Sequence, residues 1–231
     1  MPDAVLRFGP FTLRRSWPFE SWPFELRRLL PVLNLLVAAL LLMGTAFADG
    51  RPSVFYDSDS YDLAGRNFVE IVQKAPDSLA FKMKPGLDIG DDPVTSDGDI
   101  DPNMMGARSA WYGVFMHSLW QLGSLWLVAA AQALIAAWVL RLIWRVAAPK
   151  APGWSYLALV GAMTLVSTLP FFATFAMPDV FAGLESAAIV LAMIYWDRLR
   201  RWELALLWVL LAACMSFHGS DPILALSLIH I

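Results

Sequence analysis

The chain has a single cysteine, Cys214, set in an apolar run, so no intrachain disulfide can form. Charge is scarce too: 16% of the residues are Asp, Glu, Lys or Arg, against 58% hydrophobic residues and 11 tryptophans in 231. A soluble domain of this length carries about a quarter charged residues, so an ordinary soluble protein is excluded. The formal net charge of −3 is small and unevenly spread, so neither a nucleic-acid footprint nor a global acidic character follows from it. Long polar stretches are also missing, with one exception at residues 49–109. What is present is the composition of an all-α, polytopic membrane protein.

The first apolar run, residues 29–48, has no charge. About 20 residues at about 1.5 Å rise match a hydrocarbon core of about 30 Å, which predicts a first transmembrane helix. Its end, Ala46-Phe47-Ala48, imitates a signal-peptidase site. The run exceeds the roughly 7 to 15 apolar residues of a signal-peptide core, which favours an uncleaved anchor. Residues 1–28 carry Arg7, Arg14, Arg15, Arg27 and Arg28 around the repeat Ser-Trp-Pro-Phe-Glu at 16–20 and 21–25. Prolines and aromatics suit a short interfacial segment, or the repeat is a duplication without function. Residues 49–109 hold twelve carboxylates against six basic side chains, a balance of −6. The excess of arginine before the helix puts the amino terminus in the cytoplasm and this acidic loop outside.

Within the loop, Tyr61, Ala64, Phe68, Ile71 and Val72 recur at helical spacing. They predict an amphipathic helix on the outer membrane surface, capped at Asp57 to Asp59. Asp97-Gly98-Asp99-Ile100-Asp101 has the alternation of a calcium loop, but the glycine and final glutamate are not at the required offsets. A solvated acidic loop is the expectation there. From Trp111 to Trp144 the chain is too long for one span, and Gly123-Ser124 offers a break. This predicts an interfacial or re-entrant helix at 110–122 and a second span at 124–144. A third follows at 154–177, loosened by Pro170, a fourth at about 180–196 and a fifth at 204–217. Arg141, Arg145 and Lys150, and later Arg198, Arg200 and Arg201, then fall on one side of the membrane.

Chemistry is expected where the first span meets the outer loop, at Val54-Phe55-Tyr56-Asp57-Ser58-Asp59-Ser60-Tyr61. His117 and Gln121, four residues apart, would share a helix face and either contact a polar substrate or satisfy each other. Asp179, in Met177-Pro178-Asp179-Val180, stands at the outer end of the fourth helix, as a site residue or as an N-cap. Glu185 lies at membrane depth, where a carboxylate is costly to expose. It is read as functional, or as hydrogen-bonded to Thr164 or Ser167.

Phe-Tyr-Asp-Ser-Asp-Ser-Tyr at 55–61 and Met-Pro-Asp at 177–179, set on this topology, resemble the amino-terminal half of the membrane-embedded GT-C glycosyltransferases. That superfamily includes the protein mannosyltransferases and the lipid A aminoarabinose transferase. The resemblance covers roughly residues 25–217, and the first-loop acidic doublet of the mannosyltransferases is here Asp-Ser-Asp. It implies an inverting transfer of a sugar from a polyprenyl-phosphate donor to an acceptor at the outer face of the plasma membrane. In that mechanism Asp57 or Asp59 is the general base. Asp179, with Asp57, holds a divalent cation or orients the substrate, Arg66 or Arg108 meets the phosphate, and His117 contacts substrate. The partners implied are membrane lipid and the lipid-linked sugar, with no nucleic acid.

Residues 226–231, Leu-Ser-Leu-Ile-His-Ile, match the translation of a transposon end used as a sequencing adapter. The genuine reading frame is therefore expected to stop near Ala225, in a fragment of a longer enzyme; the other reading is the start of a sixth helix. The rival function is a non-enzymatic multi-pass protein, either a transporter fragment or a structural subunit whose acidic loop binds a partner. A transporter would need interrupted helices with polar residues near the midplane. The topology itself is tested by reporter fusions: residues 90 and 178 are expected outside, and 148 and 199 inside. A cytoplasmic signal from the 49–109 loop would overturn it.

Overall fold

A computed structural model of the protein describes residues 6–8, 11–13, 24–74, 109–217 and 227. The repeat as far as residue 23, the 85–107 stretch, Arg108 and nearly all of the 226–231 run lie outside the described residues. Two three-residue strands, β1 (Leu6–Phe8) and β2 (Phe11–Leu13), pair antiparallel. The rest of the described architecture is helical. It comprises α1 (Phe24–Leu42), α2 (Gly44–Asp49), α3 (Tyr56–Lys74), α4 (Ala110–Gly123), α5 (Leu125–Ala147), α6 (Gly153–Val166), α7 (Leu169–Thr174), α8 (Asp179–Ile194) and α9 (Arg201–Phe217), with a 3-10 turn at Trp196–Arg198.

Among the described residues, α5 is the one helix long and apolar enough to cross a membrane, at 23 residues; 29–42 and 153–166 are shorter apolar helices. It is also the central element. Most of its buried face is small or β-branched, with Ala129, Ala133, Ala136, Ala137 and Val139 almost fully enclosed, so neighbouring helices approach closely.

Hydrogen bonds fix the direction of each helix against α5. Arg141, near its carboxyl end, donates to the Pro31 carbonyl of α1. In the same region the Trp144 indole reaches Ser155 of α6 at 3.2 Å, and Arg145 binds Glu203 of α9 through two contacts of 2.5 Å. Arg198, beyond α8, donates to the Val146 carbonyl. Near the other end of α5, Gln132 donates to the Met177 carbonyl at 3.0 Å, just before α8. So α8 runs parallel to α5, while α1, α6 and α9 run against it. The bundle has two poles. One gathers Arg141, Arg145, Arg198 and Glu203; the other gathers the starts of α3 and α8 with α4.

Several boundaries differ from the sequence expectation. The 29–48 helix is divided at Met43: α1 ends at Leu42, and α2 carries the chain on to Asp49. Gly50 then takes the left-handed conformation (φ 71°) that closes α2, a backbone region open to glycine at no steric cost. The 154–177 helix is divided at Ser167 and Thr168, ahead of Pro170, which lies in the first turn of α7 and is most at ease there. The two short pieces are tied by Thr45, whose hydroxyl lies 2.9 Å from that of Thr174 and 3.1 Å from the Pro170 carbonyl. The break at Gly123-Ser124 is present, with Ser124 at φ 91° and its hydroxyl accepting the Trp126 N–H.

α3 does not lie apart on a surface; it crosses α4 in direct backbone contact. A Cβ added to Gly65 would meet the Gly113 carbonyl oxygen at 2.2 Å, and one added to Gly113 would meet the Tyr61 carbonyl oxygen at 2.4 Å. The predicted apolar face is what packs. Tyr61 and Ala64 are buried, and the Phe68 ring lies 5.6 Å from that of Trp111. The side chains of Ile71 and Val72 lie outside the described residues.

Two measurements follow from this packing. Gly65→Ala, or Gly113→Ala, forces backbone apart and is expected to cost about 1–3 kcal/mol by overpacking, read as a lower thermal midpoint in detergent. An unchanged midpoint in both variants would remove the crossing. At the other pole, burial pushes the Glu203 carboxyl up, but the hydrogen bonds from Arg145 and the Arg200 N–H outweigh it and hold the group below its ordinary 4.5. A depressed folded-state value stabilises the fold above the unfolded value and loses that stability as pH falls through the folded one. Stability should therefore hold above about pH 4.5 and fall below it in the wild type. In Glu203→Gln that acid-sensitive component should vanish and neutral stability should drop by about 1.5 kcal/mol, the low end for a charged hydrogen bond because Arg145 is 38% exposed.

Candidate functional site at the acidic pole

The corner begins with the start of α3. Ser58 is its organising side chain: its hydroxyl accepts the Phe55 N–H at 3.0 Å and donates to the Ala176 carbonyl at 2.9 Å, a contact across 118 residues. It thus fills the N3 half of a capping box, within the Asp57 to Asp59 stretch where the cap was expected. Ser53 adds a parallel β-bridge to Phe175, with the Ala176 N–H on its carbonyl at 3.0 Å. The chain before α3 is therefore stitched to the turn before α8.

This stitching decides where the predicted site residues go. Asp57 and Asp59 occupy the first turn of α3, Asp57 partly buried and Asp59 exposed. Asp179 is the first residue of α8, exposed, with Pro178 at the N-cap position and no side-chain cap. The N-cap reading of Asp179 is thereby corrected, although a carboxylate in this first turn still suits the helix dipole. The residue beside Asp57 touches the residue three before Asp179, so the two acidic motifs meet at one corner. Burial raises the Tyr112 phenol well above its ordinary range, and the charges of Tyr61 and Asp179 raise it further, against the adjacent Gln132 amide.

His117 sits on α4 facing α3, not paired with Gln121. Its Nδ1 lies 2.7 Å from Asp62 Oδ1, while Arg66 Nη2 donates to Asp62 Oδ2 at 3.0 Å. The His117 and Asp62 side chains are only 12% and 11% exposed, whereas Arg66 is 55% exposed. Asp62 is a site residue that sequence reading passed over. Its one signal was the four-residue spacing to Arg66, a common helix-surface pair. Arg108 lies outside the described residues.

Beneath the corner lies an aromatic layer. Tyr61 meets Tyr112 edge-on at 5.0 Å, Tyr112 meets Phe217 at 5.5 Å, and Phe217 meets Phe181 at 4.9 Å. Glu185 is fully buried one turn beyond Phe181. The hydroxyls of Thr164 and Ser167 donate to carbonyls of their own helix, which corrects the expectation that they serve Glu185. A cleft of about 370 Å³, lined by Asp49, Arg51, Ser53 and Val54, opens beside the stitched segment. Among the described residues no group of three or more His, Cys, Asp or Glu is placed to hold a metal ion. Asp57 and Asp179 offer at most two carboxylates, a number that suits Mg²⁺ only where substrate phosphate and water complete its shell. No protein-family model, curated protein or solved structure matches the chain.

Proposed function

We propose that the chain is part of a membrane-embedded, inverting glycosyltransferase that moves a sugar from a polyprenyl-phosphate donor to an acceptor at the outer face of the plasma membrane. The observation that carries this reading is the Ser58 to Ala176 hydrogen bond, which draws the first-loop carboxylates and Asp179 to one corner from opposite parts of the sequence. A corner of this kind, at the end of an apolar bundle, suits a substrate that is lipid on one side and water-borne on the other.

The membrane setting is supported by the surface. Leu36 and Leu40 of α1, Leu165 of α6, Ile194 of α8 and Val209 of α9 are 48–85% exposed, an apolar girdle that water would not tolerate over such an area. In this reading α1, α5, α6 with α7, α8 and α9 are five spans, α3 and α4 are interfacial, and the arginine pole is cytoplasmic. Helices of 16 and 17 residues, α8 and α9, reach about 25 Å at about 1.5 Å per residue and rely on flanking tryptophan and arginine at the interface.

In the transfer, the acceptor oxygen loses its proton and attacks the anomeric carbon. The carbon–oxygen bond to phosphate breaks, and the lipid phosphate leaves with the electron pair. The resemblance gives the proton to Asp57 or Asp59. A divalent cation would take Asp57 and Asp179 as ligands and neutralise charge on the departing phosphate. Arg51 in the cleft is a basic side chain available to that phosphate; the resemblance adds Arg66, here paired with Asp62, and Arg108. The rival, a transporter, is favoured by Glu185 alone, buried within α8.

The test is sugar transfer from a panel of short-chain polyprenyl-phosphate hexoses and pentoses by the full-length protein. Asp57→Asn and Asp59→Asn are expected to lower turnover by about 10²- to 10⁴-fold at unchanged membrane level. Full activity in both single variants and the double variant would remove this corner from the reaction.

A further inference from the structure

The Asp62–His117 pair has the construction of an acid–base unit, and the reading above does not use it as one. A carboxylate can only accept hydrogen bonds, so an imidazole nitrogen held 2.7 Å from Asp62 Oδ1 is the one that carries the proton. This fixes the neutral ring with hydrogen on Nδ1 and leaves the Nε2 lone pair as its proton acceptor. The carboxylate is itself held, because Arg66 engages its second oxygen at 3.0 Å. Neither partner is a loose surface chain. The His117 and Asp62 side chains are about nine-tenths buried, and both helices are locked at the glycine crossing one turn away.

Three features therefore coincide: an orienting carboxylate, a ring fixed in one tautomer, and a rigid seat at the pole where the two acidic motifs meet. A histidine whose role was merely to fill space between α3 and α4 would need none of them. An ordinary hydrogen-bonded histidine would need the first but gain nothing from Arg66 on the second oxygen.

We propose that His117 is the group that accepts the acceptor hydroxyl's proton, with Asp62 as its positioning residue. The proposal rests on the transferase reading and reassigns its proton-accepting step, leaving Asp57 and Asp179 to orient substrate and cation. As the acceptor oxygen bonds to the anomeric carbon, its proton moves to Nε2, the carbon–oxygen bond to phosphate breaks, and the electron pair leaves with the phosphate. The imidazolium, stabilised by the Asp62 carboxylate, then gives its proton to water. The acceptor class is a hydroxyl or a sugar alcohol presented from the aqueous side, since a neutral imidazole needs no metal to deprotonate it in step with attack.

Two experiments separate this proposal from the transferase reading. The first needs no activity. The full chain, labelled with ¹⁵N-histidine and held in lipid nanodiscs, gives two-bond ¹H–¹⁵N correlations for its three histidines, and His117→Gln identifies the His117 signal. In alkaline buffer the neutral ring is expected in the Nδ1–H form, and in Asp62→Asn that preference is expected to be lost. An Nε2–H ring in the wild type, or an unchanged ring in Asp62→Asn, overturns the pairing.

The second uses the sugar-transfer assay. His117→Ala is expected to lose about 10²- to 10⁴-fold in kcat and to regain activity with added imidazole but not with formate. Asp62→Asn should lower kcat with little change in KM. Full activity in His117→Ala, or a loss that imidazole leaves untouched, overturns the assignment of the proton to His117 while leaving a transferase in place. A wild-type protein that transfers sugar from no donor in the panel overturns the transferase reading itself, whatever tautomer His117 adopts.

Discussion

The acidic pole depends on one close approach, between Gly65 and Gly113. With no side chain at either position the backbones of α3 and α4 touch, and only then can a side chain as short as aspartate span the gap to a histidine on the opposite helix. Asp62 lies one turn before one glycine and His117 one turn after the other, so the hydrogen bond between them is a direct product of the crossing. The same contact seats Tyr61 edge-on against Tyr112. Close packing of small residues lets two helix backbones touch, and here it also sets the spacing of polar groups.

The legible parts of the sequence were those set by local chemistry. The Ser124 break could be read because a 34-residue apolar run must be interrupted to be accommodated, and Gly123-Ser124 offered a glycine beside a short polar residue near its first third. The amphipathic face of α3 could be read from spacing. What escaped was whatever needed a partner from far away. Ser58 looked like one hydroxyl among several, and nothing near it in sequence announces the Ala176 carbonyl. For His117 the sequence offered either a polar substrate or Gln121, its helical neighbour, because the actual partner sits 55 residues earlier and becomes a neighbour only through the glycines. The division of α6 from α7 was not read at all: Pro170 suggested only a loosening of one continuous span. In the fold that proline starts a helix, and the break precedes it.

The two poles are built on different principles. At one, charge is neutralised by direct pairing: Arg145 and Glu203 meet through two short contacts, and the backbone Arg200 N–H adds a third to the same carboxylate. That pairing joins α5 to α9 and closes the bundle. At the other, Asp59 and Asp179 stay exposed and Asp62 is shared between a histidine and an arginine. A pole that needed only stability would resemble the first. The surplus of accessible carboxylates at the second leaves charge available to something arriving from outside the chain, which is the arrangement proposed for the sugar-transfer corner.

The aromatic layer formed by Tyr112, Phe115, Phe181 and Phe217 separates that corner from the inside of the bundle. Its rings contact one another in edge-on and tilted pairs, the geometry in which their quadrupoles attract. Glu185 lies on the far side of it, along α8. The layer is therefore an insulator as well as a packing device. In the proposed transfer, a proton released at the corner would meet the aqueous side on one face and hydrocarbon rings on the other, so its cheap exit would be back to the aqueous phase, and traffic between Asp62 and Glu185 would require these rings to part.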